Sequence, residues 1–144
     1  MWKSTYSKFY SGISPEVVWK LWTDINNWPV WHDDLVECKL EGEFKVGARF
    51  MLKPKGAPAV KIVLTEVVEM ERFTDCALFF FAKMYNTHTI EVKNDGVILS
   101  NELVVTGPLK WLWVKLVAKH VAESVPEEID ALIHLARKKA PKKS

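Results

Sequence analysis

The sequence lacks the features that mark several large classes of protein. No apolar run reaches the roughly 18 residues of a membrane span, and the first residues, MWKSTYSK, contain no apolar signal-peptide core. There are two cysteines, Cys38 and Cys76, and their separation is not that of a metal site. We therefore expect a cytoplasmic protein with reduced thiols, no bound metal and no stable insertion into a membrane.

The sequence also lacks the catalytic and cofactor motifs that can be recognised from residue spacing. It contains no nucleophile elbow, no phosphate-binding loop and no dinucleotide fingerprint, so we expect no cofactor. His32, Asp33 and Asp34 are adjacent and cannot easily direct their side chains to one ion, which favours a solvated loop. His120 and His134 lie roughly 21 Å apart along a helix, too far to share a metal.

The net positive charge of the chain comes from its last residues. The formal net charge is +2, but the tail that begins at Arg137 carries five positive charges, and without them the net charge is −3. A domain that binds nucleic acid presents a basic face on its folded body, so we expect no nucleic-acid partner. We predict a single domain over residues 1–139, long enough to bury a core, and a flexible basic tail over residues 140–144.

The longest regular pattern runs from Leu109 to Arg137 and predicts a helix. Its apolar residues recur every three or four positions, and Gly107 and Pro108 precede it where a strand would end. The first turns are apolar on nearly all sides, so other elements must cover them. Pro126 lies inside the pattern and predicts a kink or break near Val125.

The rest of the chain is dominated by strand patterns. A first strand at residues 6–13 precedes two short helices, which begin at Ser14 and near Trp28. Six further strands follow at residues 35–41, 48–53, 59–68, 73–82, 85–93 and 97–106, and the short turns between them favour antiparallel order. One face of such a sheet must be covered, and the long helix is the element with the length to do so.

Five motifs occur in order along the chain: SPEVVWKLWTDINNWPVWHDD, LEGEFKVGARFMLKPKGAP, LTEVVEMERFTD, HTIEV and GPLKWLWVKLVAKHVAESVPEEIDALIHLA. Together they resemble the polyketide cyclase/dehydrase-like branch of the START-related superfamily, also called SRPBCC or Bet v 1-like. The resemblance runs from about Tyr6 to Arg137. It implies an α+β helix-grip fold, in which a curved seven-stranded antiparallel sheet wraps around the long C-terminal helix and encloses a cavity. Members bind lipids, sterols, hormones or polyketides, and only some are catalysts.

The candidate site is centred on His88, which the resemblance matches to a histidine common in this branch. Alternation directs His88 inward, where it either orients a ligand or transfers a proton, or is simply hydrogen-bonded in the wall. Glu66 shares a side with Leu64 by alternation, although the twist of a strand end would expose it. Asp75 is expected to orient a turn or strand end. The predicted ligand-binding residues are His88, Ile90, Leu99, Asn101, Leu103, Glu66, Phe80, Trp113, Leu116 and Val117.

Three functions are compatible with these residues. The favoured one is binding, or transport, of a hydrophobic small molecule such as a lipid, isoprenoid or polyketide in the cavity. The alternative is a polyketide cyclase or dehydratase in which His88 is the catalytic acid or base, so the sequence leaves open whether the protein is an enzyme. A protein that binds a partner through its exposed sheet is the third. Trp111 and Trp113 stand beside Lys110 and Lys115, which is compatible with transient contact with a membrane surface.

Overall fold

In the computed structural model, which describes residues 1–139, seven strands form one antiparallel sheet. Their order is β1-β7-β6-β5-β4-β3-β2, so that β1 and β2 lie at opposite edges. The predicted seven-stranded antiparallel sheet and long helix are therefore confirmed. The strands are β1 (Trp2–Ser11), β2 (Leu35–Leu40), β3 (Arg49–Pro54), β4 (Val60–Val68), β5 (Arg72–Phe79), β6 (Ala82–Lys93) and β7 (Gly96–Thr106).

Two short helices connect the edge strands β1 and β2. The first helix, Pro15–Thr23, begins as the sequence predicts, because the Ser14 hydroxyl accepts a hydrogen bond from the backbone nitrogen of Val17 at 3.4 Å. The second is a 3-10 helix, Ile25–Val30, that begins slightly earlier than predicted. Its Trp28 indole donates to the Trp22 carbonyl at 3.0 Å, which fixes the two helices to each other.

The long helix is continuous from Lys110 to the end of the described residues. An α-helical turn, Lys110–Trp113, leads into a π-helical turn, Val114–Ala118, and then into the α-helix Lys119–Lys139. The chain does not break at Pro126, because the neighbouring Val125 and Ile129 are buried in the core and this packing keeps the helix continuous. The alternative prediction, a kink near Val125, stays a prediction. Within the described residues no helix has the length and apolar character needed to cross a bilayer. The predicted tail, residues 140–144, lies outside the described residues.

A tight turn at Phe80 and Phe81 divides what the sequence predicts as one strand over residues 73–82. β5 ends at Phe79 and β6 begins at Ala82, and Phe81 has a positive φ of 55°. Glycine, asparagine or proline normally marks such a turn, and a bulky residue at positive φ is uncommon. The three consecutive phenylalanines therefore gave no turn signal, although they form the tip of a hairpin.

The core lies between the inner face of the sheet, the long helix and the two short helices. Leu99 and Leu103 of β7 and Leu132 of the long helix are among its fully buried members. Both cysteines are free and buried, and burial is the main reason why the pKa of the Cys38 thiol is raised to about 12. Burial also raises the pKa of the Cys76 thiol.

Candidate functional site

Three neighbouring strands bring a row of polar side chains together on the inner face of the sheet. Backbone pairing sets His88 of β6 opposite Phe73 of β5 and Asn101 of β7, so these side chains share one face. Asp75 lies two residues beyond Phe73 and points the same way. Asp75 Oδ2 is 3.0 Å from His88 Nε2, and Asn101 Nδ2 is 3.0 Å from His88 Nδ1 and 3.1 Å from Asn86 Oδ1. We call Asp75, His88, Asn101 and Asn86 the buried polar network.

Both nitrogens of the His88 imidazole are occupied. The Asn101 amide nitrogen can only donate, so Nδ1 accepts its hydrogen bond, and Nε2 carries the proton that is donated to Asp75. The carboxylate thereby sets the tautomer and the orientation of the ring. An imidazole that is bonded at both nitrogens has no free lone pair with which to accept a proton from a substrate.

Aromatic rings enclose this imidazole. The Phe73 ring stacks on it with 4.3 Å between centroids, and the rings of Trp22 and Trp28 lie at 5.4 and 6.4 Å. As a result His88 is only 3% exposed. The inner face is closed around the network, so a ligand that reaches it has to displace apolar side chains.

The Asn101 side chain contains an acceptor that has no partner. Asn101 is 3% exposed, and no donor within residues 1–139 forms a hydrogen bond with its Oδ1 atom. Leaving a buried polar atom unpaired costs about 1–3 kcal/mol, and most such atoms in folded proteins are paired. Oδ1 therefore remains available to a donor that the protein itself does not supply.

Four of the residues predicted to bind a ligand belong to the core or pack against it. Ile90, Leu99 and Leu103 are buried on the same face of the sheet as His88. Val117 is half-buried and packs against the core from the long helix. Trp113 is half-buried, and its ring stacks on that of Phe79 at 4.5 Å.

Leu116 and Phe80 do not face the interior as predicted. Leu116 is 55% exposed, because Val114 and Ala118 occupy the buried side of the π-helical turn. Phe80 is 69% exposed at the hairpin tip. An uninterrupted helix and an uninterrupted strand would direct these two side chains inward, but the π-helical turn and the hairpin turn interrupt both patterns.

Glu66 also lies on the other face of the sheet. A bulge between Leu64 and Glu66 shifts the pairing, so that Leu64 pairs with Asp75 but Glu66 pairs with Thr74. Because side chains alternate along a strand, a shift of one residue turns Glu66 outward. There its carboxylate is 3.1 Å from the Arg72 guanidinium nitrogen Nε, away from the buried polar network.

Asp75 does not orient a turn or strand end as predicted, because it lies within β5 and bonds to His88. Alternation from Phe73 would have directed it inward, but its neighbours Thr74 and Cys76 are buried as well. A strand that is buried on both faces gives no alternating signal. The link to His88 depends on the pairing of β5 with β6, which the turn at Phe80 and Phe81 establishes.

A second polar contact joins the loop after the second short helix to the long helix. His32 Nε2 is 3.1 Å from Glu128 Oε2, and the two side chains are 15% and 13% exposed. Burial acts to lower the pKa of His32, but the hydrogen bond and charge of Glu128, with the charges of Asp34 and Asp33, raise it overall. The His32 side chain is thus tied to the long helix, whereas Asp33 and Asp34 are exposed, as expected of a solvated loop. Within residues 1–139 no three side chains are arranged to hold a metal ion.

A groove of about 420 Å³ opens on the outer side of the sheet, beside the β5–β6 hairpin. Leu78, Phe81, Tyr85 and Pro108 contribute apolar surface to its lining, and Lys83 contributes a positive charge. The groove does not include any residue of the buried polar network. Apolar ligands therefore have two candidate locations, the inner face and this outer groove.

Comparison with known proteins places the chain in a family. Residues 1–137 match the family described as polyketide cyclase / dehydrase and lipid transport. The chain belongs to this family. No match was found among curated protein sequences.

Solved structures show the same fold as this member of the polyketide cyclase / dehydrase and lipid transport family. A START superfamily protein from Mycobacterium smegmatis is 15% identical, with a TM-score of 0.73 over 96% of this chain and 99% of that one. Ara h 8.0201 is 12% identical, with a TM-score of 0.73 over 96% and 100%. Norcoclaurine synthase from Thalictrum flavum is 11% identical, with a TM-score of 0.71 over 98% and 90%. At these identities the likeness concerns the fold alone.

Proposed function

We propose that the protein binds a small molecule with an apolar body and one hydrogen-bond donor, such as a hydroxylated lipid, an isoprenoid alcohol or a polyketide-like ring. The observation that carries this proposal is the unpaired Asn101 Oδ1 atom within a largely apolar inner face. Contacts with Ile90, Leu99 and Leu103 would supply most of the affinity, because burial of apolar surface is the main driving force. A donor on the ligand would pair with Oδ1 and set the orientation.

His88 has a positioning role in this proposal. Its Nδ1 atom accepts from the Asn101 amide nitrogen, which holds the amide in one orientation and leaves Oδ1 free. Asp75 in turn holds the imidazole. The expected contribution of His88 to binding is therefore indirect, through the direction in which Oδ1 points.

The long helix offers a route to the network. Its π-helical turn, Val114–Ala118, packs on β7, the strand that carries Asn101. π-helical turns are rare and often occur at functional sites. Displacement of this turn from β7 would open the inner face without breaking any strand pairing.

The comparisons supply two candidate ligand classes. The description of the family includes lipid transport, and the norcoclaurine synthase structure contains dopamine and hydroxybenzaldehyde. Both of those small aromatic molecules carry a hydroxyl group on an apolar ring. A hydroxyl beside an apolar body is the combination that the Asn101 acceptor and its surroundings would favour.

The test compares two probes that differ by one hydroxyl, β-naphthol and naphthalene, by isothermal titration calorimetry. The wild-type protein should bind β-naphthol about 3–10 times more tightly, which corresponds to one hydrogen bond. Asn101→Leu should bind naphthalene as well as the wild type does and should lose the preference for the hydroxyl. Retained naphthalene binding shows that the variant is folded.

Thr89→Val is the matched control, because Thr89 lies next to His88 on β6 but on the outer face. This variant should keep the full preference for β-naphthol. A wild-type protein that binds neither probe, or an Asn101→Leu variant that still prefers the hydroxyl, would contradict the proposal.

The alternative is an enzyme, a cyclase or dehydratase in which His88 is the acid or base. The 3.0 Å contact between Asp75 and His88 favours it, since catalytic imidazoles are often oriented by a carboxylate. The hydrogen bond at Nδ1 argues against it. If a polyketide-like substrate is turned over, His88→Gln should lower kcat by about a hundredfold or more with little change in KM. If His88→Gln weakened substrate binding but left kcat unchanged, the enzymatic alternative would be excluded.

A further inference from the structure

Exposed apolar side chains are concentrated at one end of the molecule. Six of the twelve large apolar residues that are exposed within residues 1–139 come from two short segments. One segment is the tip of the β5–β6 hairpin, and the other is the beginning of the long helix. We call these six residues the hairpin–helix patch: Leu78, Phe80, Phe81, Trp111, Leu112 and Leu116.

Backbone and side-chain contacts hold the two segments together. The Leu109 nitrogen donates to the Phe81 carbonyl at 3.0 Å, and the Trp113 indole donates to the Phe80 carbonyl at 2.8 Å. The approach is so close that a Cβ atom on Gly107 would lie 2.6 Å from the Phe81 carbonyl oxygen. The hairpin tip and the helix start therefore form one surface.

The charged side chains in the chain segments that form and flank this patch are all positive. Residues 76–90 and 103–122 contain no aspartate or glutamate, but they contain Lys83, Lys110, Lys115 and Lys119. Lys115 and Lys119 are exposed and lie on the same side of the helix as Leu116. Without the tail the net charge of the protein is negative, so the positive charge of these two segments differs in sign from that of the body as a whole.

We propose that the hairpin–helix patch docks on the surface of an anionic phospholipid bilayer. Exposed tryptophan and phenylalanine rings insert at the level of the lipid headgroups, and neighbouring lysines pair with the phosphates. The outer groove, with its apolar lining and Lys83, opens beside the same hairpin. A second copy of the chain fits this surface less well, because a symmetric contact would bring lysines against lysines. The proposal goes beyond ligand binding and does not depend on it.

Sedimentation with vesicles tests this docking. The wild-type protein should bind vesicles of phosphatidylcholine mixed with phosphatidylserine, should not bind vesicles of phosphatidylcholine alone, and should be released by added salt. The double variant Lys115→Gln/Lys119→Gln should bind about 25-fold more weakly, since each lysine near an anionic surface contributes roughly fivefold. Phe80→Ser/Trp111→Ser should weaken binding by at least about tenfold.

The matched controls carry the same chemical changes elsewhere on the surface. Val36→Ser/Val92→Ser removes two exposed apolar residues outside the patch, and Lys39→Gln/Lys93→Gln removes two exposed charges. Both control variants should bind vesicles like the wild type. The proposal would be overturned if the wild-type protein bound neutral and anionic vesicles equally well or bound neither. It would also be overturned if the control variants lost as much vesicle binding as the patch variants. A wild-type dimer that Phe80→Ser/Trp111→Ser converts to a monomer would also overturn it, in favour of a self-interface.

Discussion

Replacement of His88 by leucine removes the hydrogen-bond partner of the Asp75 carboxylate while that carboxylate stays buried. The imidazole and carboxylate side chains are 3% and 8% exposed, so water cannot easily replace the lost partner. Leaving the buried Asp75 side chain without its hydrogen-bond donor should lower the free energy of unfolding by about 1–3 kcal/mol. The total free energy of unfolding of a domain is about 5–15 kcal/mol, so the variant should still fold and be measurable.

The complementary variant, Asp75→Ala, leaves the His88 Nε2–H group without an acceptor. We expect a loss of about 1–3 kcal/mol in the free energy of unfolding. In the double variant His88→Leu/Asp75→Ala both polar groups are gone, so the combined loss should fall short of the sum by about 1–3 kcal/mol. Urea denaturation of the wild type and the three variants measures this coupling energy.

A pair on the opposite face of the same two strands provides the control. Thr74 on β5 and Thr87 on β6 are joined by a hydroxyl hydrogen bond of 2.9 Å, and both can be changed to valine with little change in shape. Their coupling energy should be about 0.5 kcal/mol, because the bond joins neutral groups. If the coupling of Asp75 with His88 were no larger than that of the threonines, the buried polar network would not exist as described. The assignment of Asn101 as a ligand acceptor would then lose its basis.

Two further predictions concern contacts that connect the elements. Gly107→Ala should destabilise the fold by roughly 2–4 kcal/mol in thermal unfolding, because Gly107 has a φ of +110° and an added Cβ would lie 2.6 Å from the Phe81 carbonyl oxygen. Gly56→Ala is the control and should cost about 1 kcal/mol, because Gly56 also has a positive φ but an added Cβ would meet no atom within 4 Å. The pKa of His32 is raised by Glu128, so this pair stabilises the fold fully below the ordinary histidine pKa and loses its effect as the pH rises through the raised value. His32→Gln should therefore be more destabilising at acidic than at alkaline pH when thermal unfolding is measured at both pH values.

The overall architecture could be predicted because it follows from periodicity. The helical repeat of apolar residues that begins at Leu109 continues on both sides of Pro126, so it still predicts one long helix. In strands with one exposed face, apolar and polar residues alternate clearly. On β6 and β7 this alternation directed His88, Ile90 and Asn101 to one face, and the structure places them there. The alternation of apolar and polar residues predicts side-chain direction well in a strand that has one buried and one exposed face, because apolar residues then mark the buried face.

The details of the site could not be predicted because they depend on local irregularities. The bulge before Glu66 reverses the direction of the Glu66 side chain. The neighbouring residues include no glycine or other sequence signal that would predict a bulge. The turn at Phe80 and Phe81 consists of apolar residues that normally continue a strand. The contact of Asp75 with His88 requires a specific register between two strands, and register is fixed by turn geometry that the sequence did not reveal.

The buried cysteines make the protein convenient for labelling. The Cys38 and Cys76 thiols are both buried with raised pKa values, so few thiolates are present at neutral pH and reagents have little access to them. A maleimide dye should therefore react with a single cysteine introduced on the surface and leave the native thiols unmodified. Placed at Phe80, a polarity-sensitive dye would change its emission when the hairpin tip leaves water, and placed at Val36 it would report the background. The natural sequence thus permits optical measurements on this fold without prior removal of cysteine.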